Sequence, residues 1–305
     1  MIIGGPTGCG KNQLALEIAK QIPSEIVNAD SRQIYRDLII GTNQPATKEQ
    51  QLVPHHLFGF LPPLEQFSAA QYEKKATAVV QEIQGRGNLP ILVGGTGFYL
   101  KAFLKGTWPI PQRDPALKNR IEKIESRHSK HFLHRMLIKI DPSAAATIAP
   151  NDRYRVKRAL EIFFQTGTKL TDHRQNRPDR FQACKFYLDQ PQEILRLNLR
   201  LRAINMLERG WIDEVKQLLE RYPGFESMPA AGSLGYPEII RHIKAGLELE
   251  ELKGQIALRT WQYAKRQRTW FRNQDQFLRM DSHSQELHKM QESVLQCLRD
   301  IPGEV

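Results

Sequence analysis

The chain opens Met1-Ile2-Ile3-Gly4-Gly5-Pro6-Thr7-Gly8-Cys9-Gly10-Lys11-Asn12-Gln13-Leu14-Ala15, and Gly5 to Lys11 fits the phosphate-cradling pattern G-x-x-x-x-G-K. Met1 to Gly4 reads as a short buried strand. Leu14, Ala15, Ile18, Ala19 and Ile22 then recur at helical spacing, so the loop joins a strand to a helix. A helix N-terminus offers unpaired N–H groups and a favourable dipole, which is the context a phosphate loop requires. The residues Gly5, Pro6, Thr7, Gly8, Cys9, Gly10, Lys11 and Asn12 are therefore the expected phosphate cradle, with Cys9 a small residue in the turn. Asn12 stands where a Ser or Thr hydroxyl would join a Mg²⁺ shell. The first strand has little room before the loop, which raises the expectation that the true start lies upstream of Met1.

Outward from the loop, strand and helix signals alternate. Glu25–Asp30 is a buried strand ending in an acid, His55–Phe60 a short strand before Pro62-Pro63, and Leu89–Gly95 a central strand stopped by glycines. Ser68-Ala69-Ala70-Gln71 is a capping box for a helix carrying Tyr72, Ala76, Val79, Val80 and Ile83. The expected fold is α/β: a parallel sheet of the P-loop NTPase type flanked by helices, binding ligands at its C-terminal edge. After Pro109 and Pro111 the character changes. Residues 113–180 are helical in pattern and rich in Lys and Arg, Lys185–Gln190 reads as a return strand, and helices follow to the C-terminus. One of them carries Leu207, Trp211, Val215 and Leu218 as an apolar stripe. The expected division is a core of residues 1–112 and 181–305, with a basic helical insertion at 113–180.

The 305 residues carry a formal charge of +11, which favours a polyanionic partner. No apolar run approaches the ~20 residues a membrane span needs, and no signal peptide is evident. The three cysteines, Cys9, Cys184 and Cys297, are widely spaced without a CxxC pair. Neither a disulfide framework nor a zinc site is expected, and a reducing cytoplasm fits.

Two absences narrow the chemistry. A triphosphatase usually ends a hydrophobic strand in a Mg²⁺-holding Asp, whereas Ile91–Val93 runs into Gly94-Gly95-Thr96. With Asn12 this disfavours ordinary ATP hydrolysis while leaving phosphate binding in place. Asp30 is the acid that remains. It is read as ending the strand beside the phosphate loop, as a metal holder, a general base or an N-cap.

The ordered set GPTGCGK, NADSRQIYRDLIIGTNQP, VPHHL, LPILVGGTGFYLKAFLKG, NDRYRVKRALEIF, LGY and AKRQRTWFR, from Gly5 to Arg272, resembles the bacterial tRNA dimethylallyltransferase (tRNA isopentenyltransferase) family. The resemblance implies transfer of a dimethylallyl group from dimethylallyl diphosphate to N6 of the adenosine 3′ of the anticodon, by a cytoplasmic monomer assisted by Mg²⁺. It implies that Asp30 is the base, that Thr96 hydrogen-bonds at the reacting centre, and that Arg202 clamps the diphosphate. Ile204 replaces an Asp common in the family, and neighbouring Arg200 competes for the clamp assignment. Ser31, Arg32 and Gln33, with Asp30 and Thr96, are implied tRNA contacts. So are Lys118, Tyr154, Arg155 and Arg158 for the anticodon stem-loop, and Lys265 and Arg268 on a basic helical face that runs on to Arg272. Tyr236 also belongs to that set, although Pro237 follows where a basic residue is common, leaving Tyr236 to stack or pack. Asn12 offers an amide oxygen as a weaker Mg²⁺ ligand. The alternatives are an adenylate isopentenyltransferase, a small-molecule P-loop kinase, and a non-catalytic RNA-binding protein with a relic loop.

Overall fold

The computed structural model describes residues 1–108, 113–173, 177–274, 276–284 and 287–299. Pro109, Pro111 and the expected boundary at residue 112 lie outside them. The chain divides into a core, Met1–Leu104 with Arg180–Val305, and an insertion, Lys105–Asp179.

Six strands build the core sheet: β1 (Ile2–Gly4), β2 (Ser24–Asn28), β3 (His55–His56), β4 (Leu89–Gly94), β5 (Lys185–Asp189) and β6 (Leu278–Asp281). Their order is β3-β2-β4-β1-β5-β6, and every pair is parallel. β1, β2 and β5 are buried almost throughout, as expected of a parallel sheet covered on both faces. One face packs Val27, Tyr72, Leu92, Tyr99 and Trp211, among others. The other packs Ile3, Leu14, Ile18, Ile91 and Phe186.

The helix Ala69–Gly85 starts at the capping box expected for it: Ser68 Oγ accepts from Gln71 N–H, and Gln71 Oε1 accepts from Ser68 N–H. Four expectations are corrected. The strand expected at His55–Phe60 pairs only at His55–His56, because Leu57 and Gly59 turn the backbone to positive φ. Leu207 and Trp211 lie on two helices, Gln192–Glu208 and Trp211–Arg221, separated at Gly210 with φ 94°. β6 falls where only helices were expected; on this edge strand Met280 is buried while Leu278 is exposed. Finally, Cys184 and Cys297 form a disulfide with Cα atoms 6.3 Å apart, spanning 113 residues of sequence. Sequence spacing carried no trace of it because the C-terminal helix Leu287–Arg299 folds back onto the sheet face where Cys184 lies. Cys9 is free and buried.

The insertion is helical, with Pro115–Arg127, Phe132–Ile140, Pro142–Thr147, Arg153–Thr166 and Leu170–His173 around Ile121, Leu133, Leu137, Ala144, Val156 and Leu160. Asp114, Asp141 and Asp152 each cap a helix by accepting a backbone N–H. Among the described residues, no helix is long and apolar enough to cross a membrane.

Candidate active site

The loop after β1 leaves the sheet at its C-terminal edge and enters the helix Lys11–Ala19 through Gly10, whose φ is 86°. No side chain caps that helix, so its first N–H groups are available to an anion. Lys11 Nζ folds over the loop and donates to Pro6 O at 2.7 Å. Two glutamines brace the loop from behind. Gln267 Oε1 accepts from Thr7 N–H at 2.9 Å while its Nε2 donates to Gly95 O at 3.0 Å. Gln190 Nε2 donates to Gly8 O at 3.1 Å, with its Oε1 accepting from Asn198. Gly95 is glycine because an added Cβ would lie 2.1 Å from Gln267 Nε2.

Asp30 lies two residues beyond β2. Its Oδ1 accepts from Arg32 N–H at 2.8 Å, and its own N–H donates to Asn28 Oδ1. The sheet order corrects one expectation: β2 is not beside β1, because β4 runs between them. With neighbouring strands ~4.8 Å apart, β2 and β1 run about 10 Å apart, and β4 between them leads into Thr96. Thr96 Oγ1 accepts from Ser31 N–H at 2.9 Å and pairs with Ser31 Oγ at 3.2 Å. Neither Thr96 nor Ser31 lines the cavity itself; together they back the turn that carries Asp30.

A cavity of about 300 Å³ collects Thr7, Gly8, Gly10, Lys11 and Asn12 at one end, and Asp30, Arg32 and Gln33 at another. Arg202 lines it from the helix Gln192–Glu208, whereas Arg200 is exposed, which separates the two candidates. Lys11, Arg32 and Arg202 face Asp30 as the charged residues of the lining, three cations to one carboxylate. Burial pushes the Arg202 guanidinium down from its ordinary value, opposed by the charge of Asp30. An entering polyanion would relieve that cost. Tyr263 also lines the cavity, its hydroxyl against Thr96. Burial first, then the charge of Asp30, raises it above the ordinary tyrosine range.

The remaining expected tRNA contacts fall into two groups. In the core, Gln33 Nε2 donates to Thr42 O and Asn43 O, at 3.1 and 2.7 Å, so it shapes the cavity wall. Lys265 is exposed, with Nζ 5.8 Å from the centre of the Trp261 ring. Tyr236 is fully buried and its hydroxyl donates to Glu214, so it packs rather than stacks on a base. Arg268 is 8% exposed and spends its guanidinium on Asp189, bonding Oδ1 at 2.8 Å and Oδ2 at 3.2 Å. Of the expected basic face, Arg268 is thus spent inside the fold, and the more exposed Arg272 turns, with Arg279, to the same buried carboxylate. In the insertion, Tyr154, Arg155 and Lys118 are exposed, and Arg158 is paired with Glu161.

Gln267, Gln190, Tyr263 and Glu214 were missed by sequence reasoning. Gln267 was visible as an uncharged polar residue three after Ala264 and four before Phe271, on a buried helix face. The charges around it drew the reading away.

Among the described residues, no group of three or more His, Cys, Asp or Glu gathers to hold a metal ion. Asn12 lines the cavity and offers one neutral oxygen. That donor set fits a Mg²⁺ ion borne on a diphosphate and completed by water, rather than one caged by protein.

The IPP transferase family model matches residues 33–274. The chain belongs to this family. A tRNA dimethylallyltransferase of Syntrophobacter fumaroxidans is 39% identical over 92% of this chain and 83% of its own length. Another, tRNA dimethylallyltransferase 1 of Citrifermentans bemidjiense, is 40% identical over 89% and 88%. The crystal structure of the full-length tRNA isopentenylpyrophosphate transferase of Bacillus halodurans superposes with a TM-score of 0.72 at 33% identity, covering 98% of this chain and 94% of that one. A eukaryotic dimethylallyltransferase captured acting on tRNA reaches 0.76 at 28% identity, covering 97% and 76%.

Proposed function

We propose that this chain transfers the dimethylallyl group of dimethylallyl diphosphate to N6 of adenosine 37 in tRNA. The observation that carries the reading is a single cavity lined by an open phosphate cradle, the arginine Arg202 and the carboxylate of Asp30. The target adenine sits in a stacked loop and must be flipped to reach such a pocket. N6 attacks C1 of the donor, the new C–N bond forms as the C1–O bond breaks, and Asp30 accepts the N6 proton. The released diphosphate takes the bonding electron pair and is held by the loop N–H groups, Lys11 and Arg202. Thr96 and Ser31 orient Asp30. A Mg²⁺ bound beside Asn12 would supply further neutralisation of the leaving group. Arg155, Tyr154 and Lys118 offer the insertion's contacts to the anticodon stem-loop, and Lys265 a further phosphate contact on the core; such contacts weaken with salt. The protein works in the cytoplasm, where its tRNA is, as a monomer.

The test incubates the protein with radiolabelled dimethylallyl diphosphate and either unmodified tRNA or AMP. Label in tRNA supports the proposal; label in AMP alone, or in neither, overturns it. Asp30→Ala should abolish transfer, a loss of about 10²–10⁴-fold for a general base, while tRNA binding by gel shift stays within twofold. Lost binding would make Asp30 a structural residue.

A further inference from the structure

The loop Ile39–Asn43 forms one wall of the cavity through Gly41, Thr42 and Asn43, and it belongs to no helix or strand. Its successive backbone N–H groups are gathered by a single carboxylate on another element. Glu214, on the helix Trp211–Arg221, accepts at Oε2 from Ile39 N–H (2.9 Å) and Ile40 N–H (2.6 Å). At Oε1 it accepts from Gly41 N–H (3.1 Å) and from the Tyr236 hydroxyl (2.7 Å). Three successive backbone N–H groups converging on one anion make a nest, here filled by the protein's own side chain. Gly41 admits no side chain: an added Cβ would lie 2.0 Å from Trp211 Nε1 and 2.5 Å from the Tyr236 hydroxyl oxygen. From the far side, Gln33 Nε2 grips Thr42 O and Asn43 O. Arg209 reaches Asn43 Oδ1 at 3.3 Å, and Gln44 Nε2 closes the turn onto Tyr35 O and Leu38 O.

The phosphate cradle has separate supports in Gln190 and Gln267. The Glu214 anchor bears on the Asp30–Gln33 side of the cavity, to which Gln33 ties the loop. We propose that Glu214, with Tyr236 as its second brace, is a positioning residue for the nucleic-acid acceptor: it sets the wall against which the flipped nucleotide is read. The inference rests on the function proposed above. It also gives the buried Tyr236 of the Leu-Gly-Tyr motif a role without contact to RNA.

The informative variant is Glu214→Gln, nearly the same size. An ionised carboxylate accepts at both oxygens, whereas an amide accepts at one and presents donors at the other. In one orientation the amide N–H groups meet the Ile39 and Ile40 N–H groups; in the other they meet the Gly41 N–H and turn the Tyr236 hydroxyl from donor to acceptor. The expected result is a KM for an anticodon stem-loop RNA raised at least tenfold, with the KM for dimethylallyl diphosphate within twofold of wild type. Hydrogen–deuterium exchange should speed up at residues 39–43 and stay unchanged at residues 5–11. Tyr236→Phe, which keeps the ring and one fewer donor, should shift the same parameters less. Equal change in both KM values, or unchanged exchange at 39–43, overturns the proposal. The exchange measurement needs no turnover, so it stands even where labelled donor fails to reach tRNA, which would instead sink the function assigned above.

Discussion

At position 12 the side chain changes what the loop can do. A hydroxyl in that place is small, rotates freely and approaches a metal closely; the Asn12 amide presents a neutral carbonyl oxygen on a planar group. We expect transfer to persist with a weakened affinity for Mg²⁺. Asn12→Thr should then lower the Mg²⁺ concentration at half-maximal rate several-fold, read from a Mg²⁺ titration of initial rates. An unchanged titration would show that the ion takes nothing from this residue. That Asp30 and Lys11 would line a common cavity was legible at this scale, because a charged residue beside a glycine loop or a strand end advertises itself; Arg202, inside a helix, was reached only through the family resemblance. Thr96 was not fully so. Its hydroxyl was read as facing the reacting centre, while it holds Ser31, a contact 65 residues away in sequence that no local pattern records.

Among the elements, the strand-to-helix loop, the Ser68 cap and the Gly94-Gly95 strand end were readable from local rules, since each satisfies its own backbone within a few residues. The last of these has a tertiary reason as well: an added Cβ at Gly94 would lie 2.2 Å from the Ala29 backbone. The long helix Leu249–Arg272 illustrates the opposite case. Its Lys and Arg residues suggested a nucleic-acid face, yet Arg268 pairs inward with Asp189, and the uncharged Gln267 joins the loop after β1 to the end of β4. Gln267→Ala would leave Thr7 N–H and Gly95 O without partners, at about 1–3 kcal/mol for each buried group left unsatisfied. Its expected signature is a higher KM for dimethylallyl diphosphate and weaker inhibition by inorganic diphosphate, with the KM for RNA little changed. An unaltered inhibition constant for diphosphate would mean that the loop keeps its shape unaided.

For the molecule as a whole, acid sensitivity follows from a buried ion cluster far from the cavity. Glu25, in β2, is bonded by Arg86, Asn88 and His56. The Arg86 guanidinium foremost holds its carboxyl down from 4.5 to about 2. A depressed acid stabilises the fold above its unfolded value and loses that contribution as pH falls. The loss therefore runs from about pH 4.5 down to about pH 2 and amounts to roughly 2–3 kcal/mol. Glu25→Gln should flatten the fall of the melting temperature across that interval; a parallel fall in wild type and variant would assign acid lability elsewhere. Sheet order was the part of the global arrangement that sequence misread, placing β2 beside β1. Short apolar runs announce strands, but nothing within β1, β2 or β4 states that β4 inserts between the other two. That insertion holds the strands leading to the proposed base and to the phosphate loop a strand's width apart, leaving the reach of the acid to span the remainder. Lengthening the acid by one methylene, Asp30→Glu, would then push the carboxylate past the amine, and the charge-preserving variant should transfer as poorly as the alanine one. Retained turnover in a single-turnover assay would mean the span between the two groups is elastic.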